Sequence, residues 1–217
     1  VVIFDLDDTL FKEIDYLKSA YREIATMLAD RGIDNAYDQM IAWRNDGINV
    51  FDAINSHYRL GIPVATMVSR YRLHKPMISL TDDCKELLDT LTARHTEIGI
   101  LTDGRSTTQH HKIDALGLYH YVAEHNIVIS EEFGSEKPDE RNYRYFSDRN
   151  PHDRYVYIGD NPIKDFITPN RLGWFTIGIV DNGENIHKQA NTLPKEYQPH
   201  VWAQSYLDIQ RILNTTY

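Results

Sequence analysis

Three carboxylates crowded into Asp5-Leu6-Asp7-Asp8-Thr9 close the apolar run Val1-Val2-Ile3-Phe4. A short β-rich run that stops on acids reads as a buried parallel strand emerging into a loop. Acids at such a strand end repel one another and lose hydration unless a cation, hydrogen-bond donors or protonation compensates them. A magnesium ion meets that demand, because it takes oxygen ligands and couples readily to phosphate chemistry. Read alone, the segment also has an ordinary reading as an Asp-rich turn or helix cap.

Similar apolar runs recur at Ile98 to Leu101, Ile127 to Ile129, Tyr155 to Ile158 and Trp174 to Val180. Helix-capable stretches separate or follow them, at Asp82 to Arg94, Thr107 to Leu116, Pro138 to Ser147 and Pro162 to Thr168. Strands alternating with helices imply βαβ units, so the expected fold class is α/β, a Rossmann-like parallel sheet with helices on both faces. The first interval breaks this alternation. From Lys12 to His74 apolar positions such as Leu17, Tyr21, Ile24 and Leu28 recur at helical spacing, and shorter helices are expected at Asn35 to Trp43, Val50 to Tyr58 and Val64 to Leu73. Gly32, Gly47, Gly61 and Pro63 punctuate them. Residues 12–74 are therefore expected to form an inserted α-helical cap over the sheet's carboxyl edge, with residues 1–11 and 75–217 forming the core. Toward the far end, Pro194 and Pro199 argue for an irregular stretch from Ile186 to Gln198. Trp202, Tyr206, Ile209 and Leu213 then mark a terminal packing helix over Trp202 to Leu213.

Three further strand ends carry chemistry. Leu101-Thr102-Asp103-Gly104-Arg105 offers a hydroxyl and nearby backbone N–H groups to a phosphate, or a plain Asp-Gly turn. In Ser135-Glu136-Lys137-Pro138-Asp139, Pro138 suits the first turn of a helix and would leave Lys137 at its mouth as a fixed positive charge, or simply as a solvated helix start. Gly159-Asp160 follows the run Tyr155 to Ile158, with Asp165 at the start of the next expected helix. There the carboxylates suit either a metal or helix capping.

In this order, Asp5-x-Asp7-x-Thr9, Thr102, Lys137 and Gly159-Asp160 with Asp165 resemble the motifs of the haloacid dehalogenase-like hydrolase superfamily. The resemblance spans most of Val1 to Asp165 and implies a magnesium-dependent phosphatase. It implies that Asp5 is the nucleophile that becomes an aspartyl-phosphate, and Asp7 the acid and then the base. Thr102 and the Asp103 backbone, with Gly104, are expected to hold phosphate oxygens, and Lys137 to neutralise the phosphoryl group and nucleophile. Mg²⁺ is expected on Asp5, Asp160 and the Asp7 backbone carbonyl, with Asp165 supporting the metal shell or orienting Lys137. Asp7 favours phosphatase over dehalogenase, since family dehalogenases generally lack an acid there. Asp103 departs from the family's frequent asparagine, and its carboxylate is expected either to restrict anionic substrates or to pair with Arg105.

The insertion's position resembles the family's helical cap, which implies a small phosphorylated metabolite, such as a sugar phosphate or nucleotide, as substrate. Arg44, Tyr58 and Arg72 are the candidate specificity residues, alongside His57, Arg59, Arg70 and His74. Tyr21, Trp43, Phe51, Tyr58 and Tyr71 either line a base-binding pocket or pack the cap. A phosphomutase, or a phosphate-ligand binding protein without turnover, is the alternative. With 23 basic against 32 acidic residues, the chain has a formal charge of -9, so no stable nucleic-acid partner is expected. Its one cysteine, Cys84, excludes an intrachain disulfide, and His110, His111, His120 and His125 form no zinc signature. No apolar run has the length of a membrane span, and a cytoplasmic location is expected. The start inside an apolar run without methionine leads us to expect further leading residues. Sequence leaves the oligomeric state open.

Overall fold

The computed structural model describes residues 1–190 and 192–216. Asn191 and Tyr217, both within the predicted core, lie outside the described residues. The chain divides into two compact units, one of Val1–Glu13 with the chain from Ser79 onward, the other Ile14–Ile78. Strand β1 (Val2–Phe4) is followed by helices α1 (Glu13–Ala29), α2 (Ala36–Asn45), α3 (Val50–His57) and α4 (Val64–Leu73). Next come α5 (Asp82–Ala93), β2 (Ile98–Thr102), α6 (Ser106–Ala115), β3 (Ile127–Ile129), α7 (Ser130–Phe133) and α8 (Glu140–Ser147). Strand β4 (Val156–Gly159), α9 (Ile167–Arg171), β5 (Phe175–Ile179), β6 (Val201–Ala203) and α10 (Tyr206–Thr216) complete the described chain.

All six strands are parallel, in the order β3-β2-β1-β4-β5-β6. This is the doubly wound order, and the helix-flanked sheet with its inserted helical segment is the α/β fold expected from the sequence. Every residue of β1, β2 and β4 is buried, which explains why these strands read as unbroken apolar runs instead of alternating ones. Against them packs a core of Ile3, Leu101, Tyr143, Phe146, Tyr157, Phe166 and Trp174. Helix α5 shows the amphipathic logic of the flanking layer: Thr81 caps it by accepting from the Cys84 N–H, and Cys84, Leu87, Leu88 and Leu91 form its buried stripe. Burial pushes the Cys84 thiol up to about 12, which leaves it inert at neutral pH.

Three expectations need correction. Trp202 belongs to strand β6, not to the terminal helix, which begins at Tyr206. The helical spacing misleads because Trp202 pairs with Gly178 of β5, and its indole occupies the space a Cβ at Gly178 would need, 2.5 Å away. The helix expected from Pro138 starts at Glu140, because Asp139 is the cap, accepting from the Arg141 N–H at 2.9 Å. The helix expected from Pro162 is α9, which starts only at Ile167. Before it, Asn161 and Asp165 side chains accept backbone N–H groups of the same loop, which holds the loop out of helical form.

In the second unit, Tyr16, Leu17, Ala20, Tyr21, Ile24 and Leu28 form the buried face of α1. Asn49 caps α3 by accepting from the N–H groups of Phe51 and Asp52. Tyr71 meets Tyr16 and Phe51 edge-on at 5.5 and 5.8 Å, so these aromatics form a mutual packing cluster. Among the described residues no helix is long and apolar enough to cross a membrane.

Candidate active site

Strand register decides where the acids meet. Phe4, the last residue of β1, lies level with Ile100 of β2 and Ile158 of β4, so the three strands end within two residues of one another. The chain leaves β1 for β2 and β3 on one side, then returns to build β4 on the other. A crevice therefore opens at the carboxyl ends of β1 and β4, where the strand order reverses. Asp5, Asp7, Thr102, Asp103, Lys137 and Asp160 all line a cavity of about 100 Å³ there. A larger, open cleft of about 740 Å³ lies at the opposite, amino ends of β4 and β5, beside Tyr155 and Trp174. It is remote from the converging carboxylates.

Lys137 organises the site. Its ammonium lies 2.7 Å from both Asp5 Oδ1 and Asp165 Oδ1, with the side chain only 1% exposed, and donates to the Tyr157 hydroxyl at 3.1 Å. Asp165 Oδ2 accepts the N–H groups of Asp160 and Asn161, at 3.2 and 2.9 Å. Both Asp165 oxygens are thus committed, one to Lys137 and one to the loop that carries Asp160. Glycine is required at position 159, since a Cβ there would lie 2.5 Å from Asp165 Oδ2. Asp160 is held from another direction, its Oδ2 accepting from Asn185 Nδ2 at 2.8 Å.

Asp5, Asp160 and Asp165 each offer a carboxylate oxygen within 4.8 Å of the others, all buried. An all-carboxylate set of this kind suits a hard divalent cation such as Mg²⁺. Its electrostatics point the same way: burial, then the charges of Asp165 and Asp5, push Asp160 up to about 9. Burial pushes Asp5 up to about 7 against the pull of Lys137. Unfolded aspartates titrate near about 3.9, so the metal-free fold binds extra protons above that pH. Its stability is therefore full below about pH 4 as far as these groups are concerned, and is lost as pH rises through about 7 and about 9. Denaturant unfolding in chelator is expected to show stability falling between about pH 5 and about pH 9, with added Mg²⁺ stabilising more at the alkaline end. A stability that rises across this interval in chelator would contradict the arrangement.

Asp7 faces a different environment from Asp5. Lys112 Nζ lies 2.7 and 2.8 Å from its two oxygens, and Gln109 Nε2 donates to Asp7 Oδ2 at 2.9 Å. Gln109 Nε2 also donates to Thr102 Oγ1 at 2.7 Å, which leaves the Thr102 hydroxyl proton to point elsewhere. Asp103 does not pair with Arg105, which reaches Glu131 instead. Its Oδ2 pairs with Lys164 at 2.9 Å and its Oδ1 accepts the Lys137 N–H at 3.0 Å, tying three strand-end loops together. The Gly104 N–H donates to Ser130 Oγ at 2.9 Å, and of the expected phosphate contacts Asp103 and Gly104 only Asp103 lines the cavity.

The candidate specificity residues belong to the helical unit. Arg44 is in the last turn of α2 and Arg72 in that of α4, while the Tyr58 hydroxyl donates to Asn35 Oδ1 at 2.7 Å. His74 is buried, with ring nitrogens 2.8 Å from the Tyr71 carbonyl and 3.1 Å from Ser19 Oγ, so it braces α4 against α1 instead of offering an exposed donor.

Sequence reasoning missed Gln109, Lys112, Asn185, Lys164, Glu13 and His187, the last three of which also line the cavity. For the first two a signal existed. Ile113 and Leu116 mark the inward face of α6, and Gln109 and Lys112 precede them by one helical turn, placing polar groups on a core-facing stripe. Asn185 sits in the irregular Asp181-Asn182-Gly183-Glu184-Asn185 loop, where no periodicity reveals direction.

Comparison with known proteins agrees with this layout. The family model for haloacid dehalogenase-like hydrolase matches residues 2–179. Glyceraldehyde 3-phosphate phosphatase of Methanopyrus kandleri is 27% identical over 82% of this chain and 82% of the relative. The protein of that name from Methanocaldococcus jannaschii is 24% identical over 82% of this chain and 84% of the relative. Among solved structures, Bacillus subtilis YfnB in its magnesium-bound form superposes with a TM-score of 0.70 at 21% identity, covering 98% of this chain and 97% of that one. A 2-haloacid dehalogenase from Pseudomonas syringae pv. tomato DC3000 gives 0.63 at 18% identity, covering 100% of this chain and 98% of that one.

Proposed function

We propose that this chain, which belongs to the haloacid dehalogenase-like hydrolase family, hydrolyses small phosphomonoesters through an aspartyl-phosphate on Asp5. The observation that carries this reading is the convergence of buried Asp5, Asp160 and Asp165 carboxylates around Lys137. Lys137, with a divalent cation that those carboxylates would hold, supplies the positive charge a phosphate dianion needs before a carboxylate can approach it, a need that a neutral carbon–halogen centre does not share.

In this reading Asp5 attacks phosphorus as the bond to the leaving oxygen breaks, and Asp7 gives that oxygen a proton. Asp7 then takes a proton from water, whose oxygen attacks phosphorus; the bond to Asp5 breaks, returning its carboxylate and inorganic phosphate. The Thr102 hydroxyl and Asp103 N–H bind phosphoryl oxygens, and Lys137 neutralises charge on the nucleophile and the transferring group. Asp5, Asp160 and the Asp7 backbone carbonyl would hold Mg²⁺, which supplies further charge neutralisation between the carboxylate and the phosphate. Asp165 acts mainly by fixing Lys137 and the Asp160 loop, since both its oxygens are already engaged.

A sugar or triose phosphate is favoured over a nucleotide. The small cavity is lined almost wholly by charged and polar groups, and Tyr71 with its aromatic neighbours is occupied in packing. The glyceraldehyde 3-phosphate phosphatases among the relatives make that triose phosphate the first compound to assay. The test is a panel of triose, hexose and nucleoside phosphates with Mg²⁺ or chelator. Mg²⁺-dependent phosphate release is expected, with kcat/KM highest for a triose or hexose phosphate. No release from any ester, or isomer formation without phosphate release, would overturn the reading.

A further inference from the structure

We propose that Lys112 and Gln109 of α6 are positioning residues that hold the Asp7 carboxyl in its working orientation, an inference that rests on the phosphatase reading above. Lys112 reaches both oxygens of Asp7 and Gln109 reaches one of them, all within 2.9 Å. Neither cation nor amide is a surface group: Lys112 is 3% exposed and Gln109 1%. A lysine so fully withdrawn from water is unusual, and here it pairs with the Asp7 carboxylate of another element, with Glu13 also within its electrostatic reach.

The arrangement solves a geometric problem. Asp5 and Asp7 are separated by one residue and line one cavity together with Asp160. Like charges so close drive side chains apart, and an unrestrained Asp7 would turn toward whichever cation is nearest. Lys137 is engaged by Asp5 and Asp165, so a second ammonium on α6 draws Asp7 the other way and separates nucleophile from acid. Gln109 adds register. Because its Nε2 spans Asp7 Oδ2 and Thr102 Oγ1, it links the acid to the hydroxyl proposed to hold the phosphoryl group. The Lys112 ammonium also lies 5.9 Å from the Phe11 ring centroid, a wall that limits its own movement. Neither side chain is placed to touch the reacting phosphorus; both act through Asp7.

The consequence is specific to proton delivery. When the P–O bond of an alkyl phosphate breaks, the departing oxygen must take the proton of Asp7. A p-nitrophenolate leaves without one. Loss of orientation at Asp7 must therefore weigh more on the alkyl ester. The experiment compares kcat/KM of wild type, Lys112→Met, Lys112→Arg and Gln109→Ala for the best alkyl phosphate of the panel and for p-nitrophenyl phosphate. Lys112→Met is expected to lose about 100-fold on the alkyl ester, at least about tenfold more than on the aryl ester, with Lys112→Arg recovering part of the difference. Equal losses on both esters would show a merely structural role and overturn the proposal. Crystals of Lys112→Met supply a readout free of turnover: Asp7 is expected to have rotated, and an unmoved carboxylate would also overturn it. Absence of turnover in the wild type would sink the phosphatase reading instead, leaving the crystallographic position of Asp7 to decide whether α6 holds it.

Discussion

Asp5→Asn is expected to abolish phosphoenzyme formation and lower kcat by on the order of 10⁴ or more, while leaving the metal-free fold as stable as the wild type or more so. Both halves follow from the same geometry. An amide is a poor nucleophile toward phosphorus, so no neighbouring group takes over the step. Its carbonyl oxygen can still accept from Lys137, which keeps Asp165 as its ionic partner. The substitution also removes one of the charges that raise Asp160, easing repulsion in the buried cluster. Activity lost with stability kept is the mark of a strained functional site. Asp7→Asn should behave differently, still forming phosphoenzyme from esters with good leaving groups but releasing it slowly. Normal Mg²⁺-dependent turnover by Asp5→Asn would remove the nucleophile assignment.

Lys137→Met is expected to be the most destabilising single change at the site, costing about 3–5 kcal/mol in chelator at alkaline pH. The lysine is the cation between Asp5 and Asp165, and taking it away leaves two buried carboxylates facing one another. The penalty should shrink in acid, where protonation relieves the pair, and shrink again on adding Mg²⁺. Catalysis should suffer separately, by about 10²–10³ in kcat, because a fixed charge aimed at the transferring group is lost. Denaturant unfolding at several pH values, with and without Mg²⁺, measures the first effect and single-turnover kinetics the second. A cost below about 1 kcal/mol at alkaline pH would mean that the Lys137 pairs are no better than exposed ones.

Much of this layout was legible because parallel strands announce themselves. Val2 to Phe4, and Val128 with Ile129, are buried at successive positions and so on both faces, and their residues carry no alternation to confuse the reading. Chemistry placed at the ends of such strands is legible too: Asp5, Thr102 and Asp160 each follow or close one, and strand register then brings them together. The reading failed where side chains override local pattern. Trp202 has helical spacing to Tyr206 and Ile209, but the gap above Gly178 takes its indole into the sheet. Pro138 looks like a first-turn residue, yet Asp139 has the better capping geometry. Lys112 was missed for a different reason. An inward-facing lysine reads as an error in a core stripe until its partner is known, and that partner, Asp7, lies 105 residues away.

The central claim is that Asp5 carries the phosphoryl group, and it can be tested without knowing the physiological substrate. Wild-type protein is mixed with radiolabelled phosphomonoester and Mg²⁺, quenched in acid during turnover, reduced with borohydride and digested. An aspartyl-phosphate at Asp5 predicts acid-stable label before reduction and homoserine at position 5 after it. Label that maps to another residue, or steady turnover with no labelled protein at any time, would contradict the account.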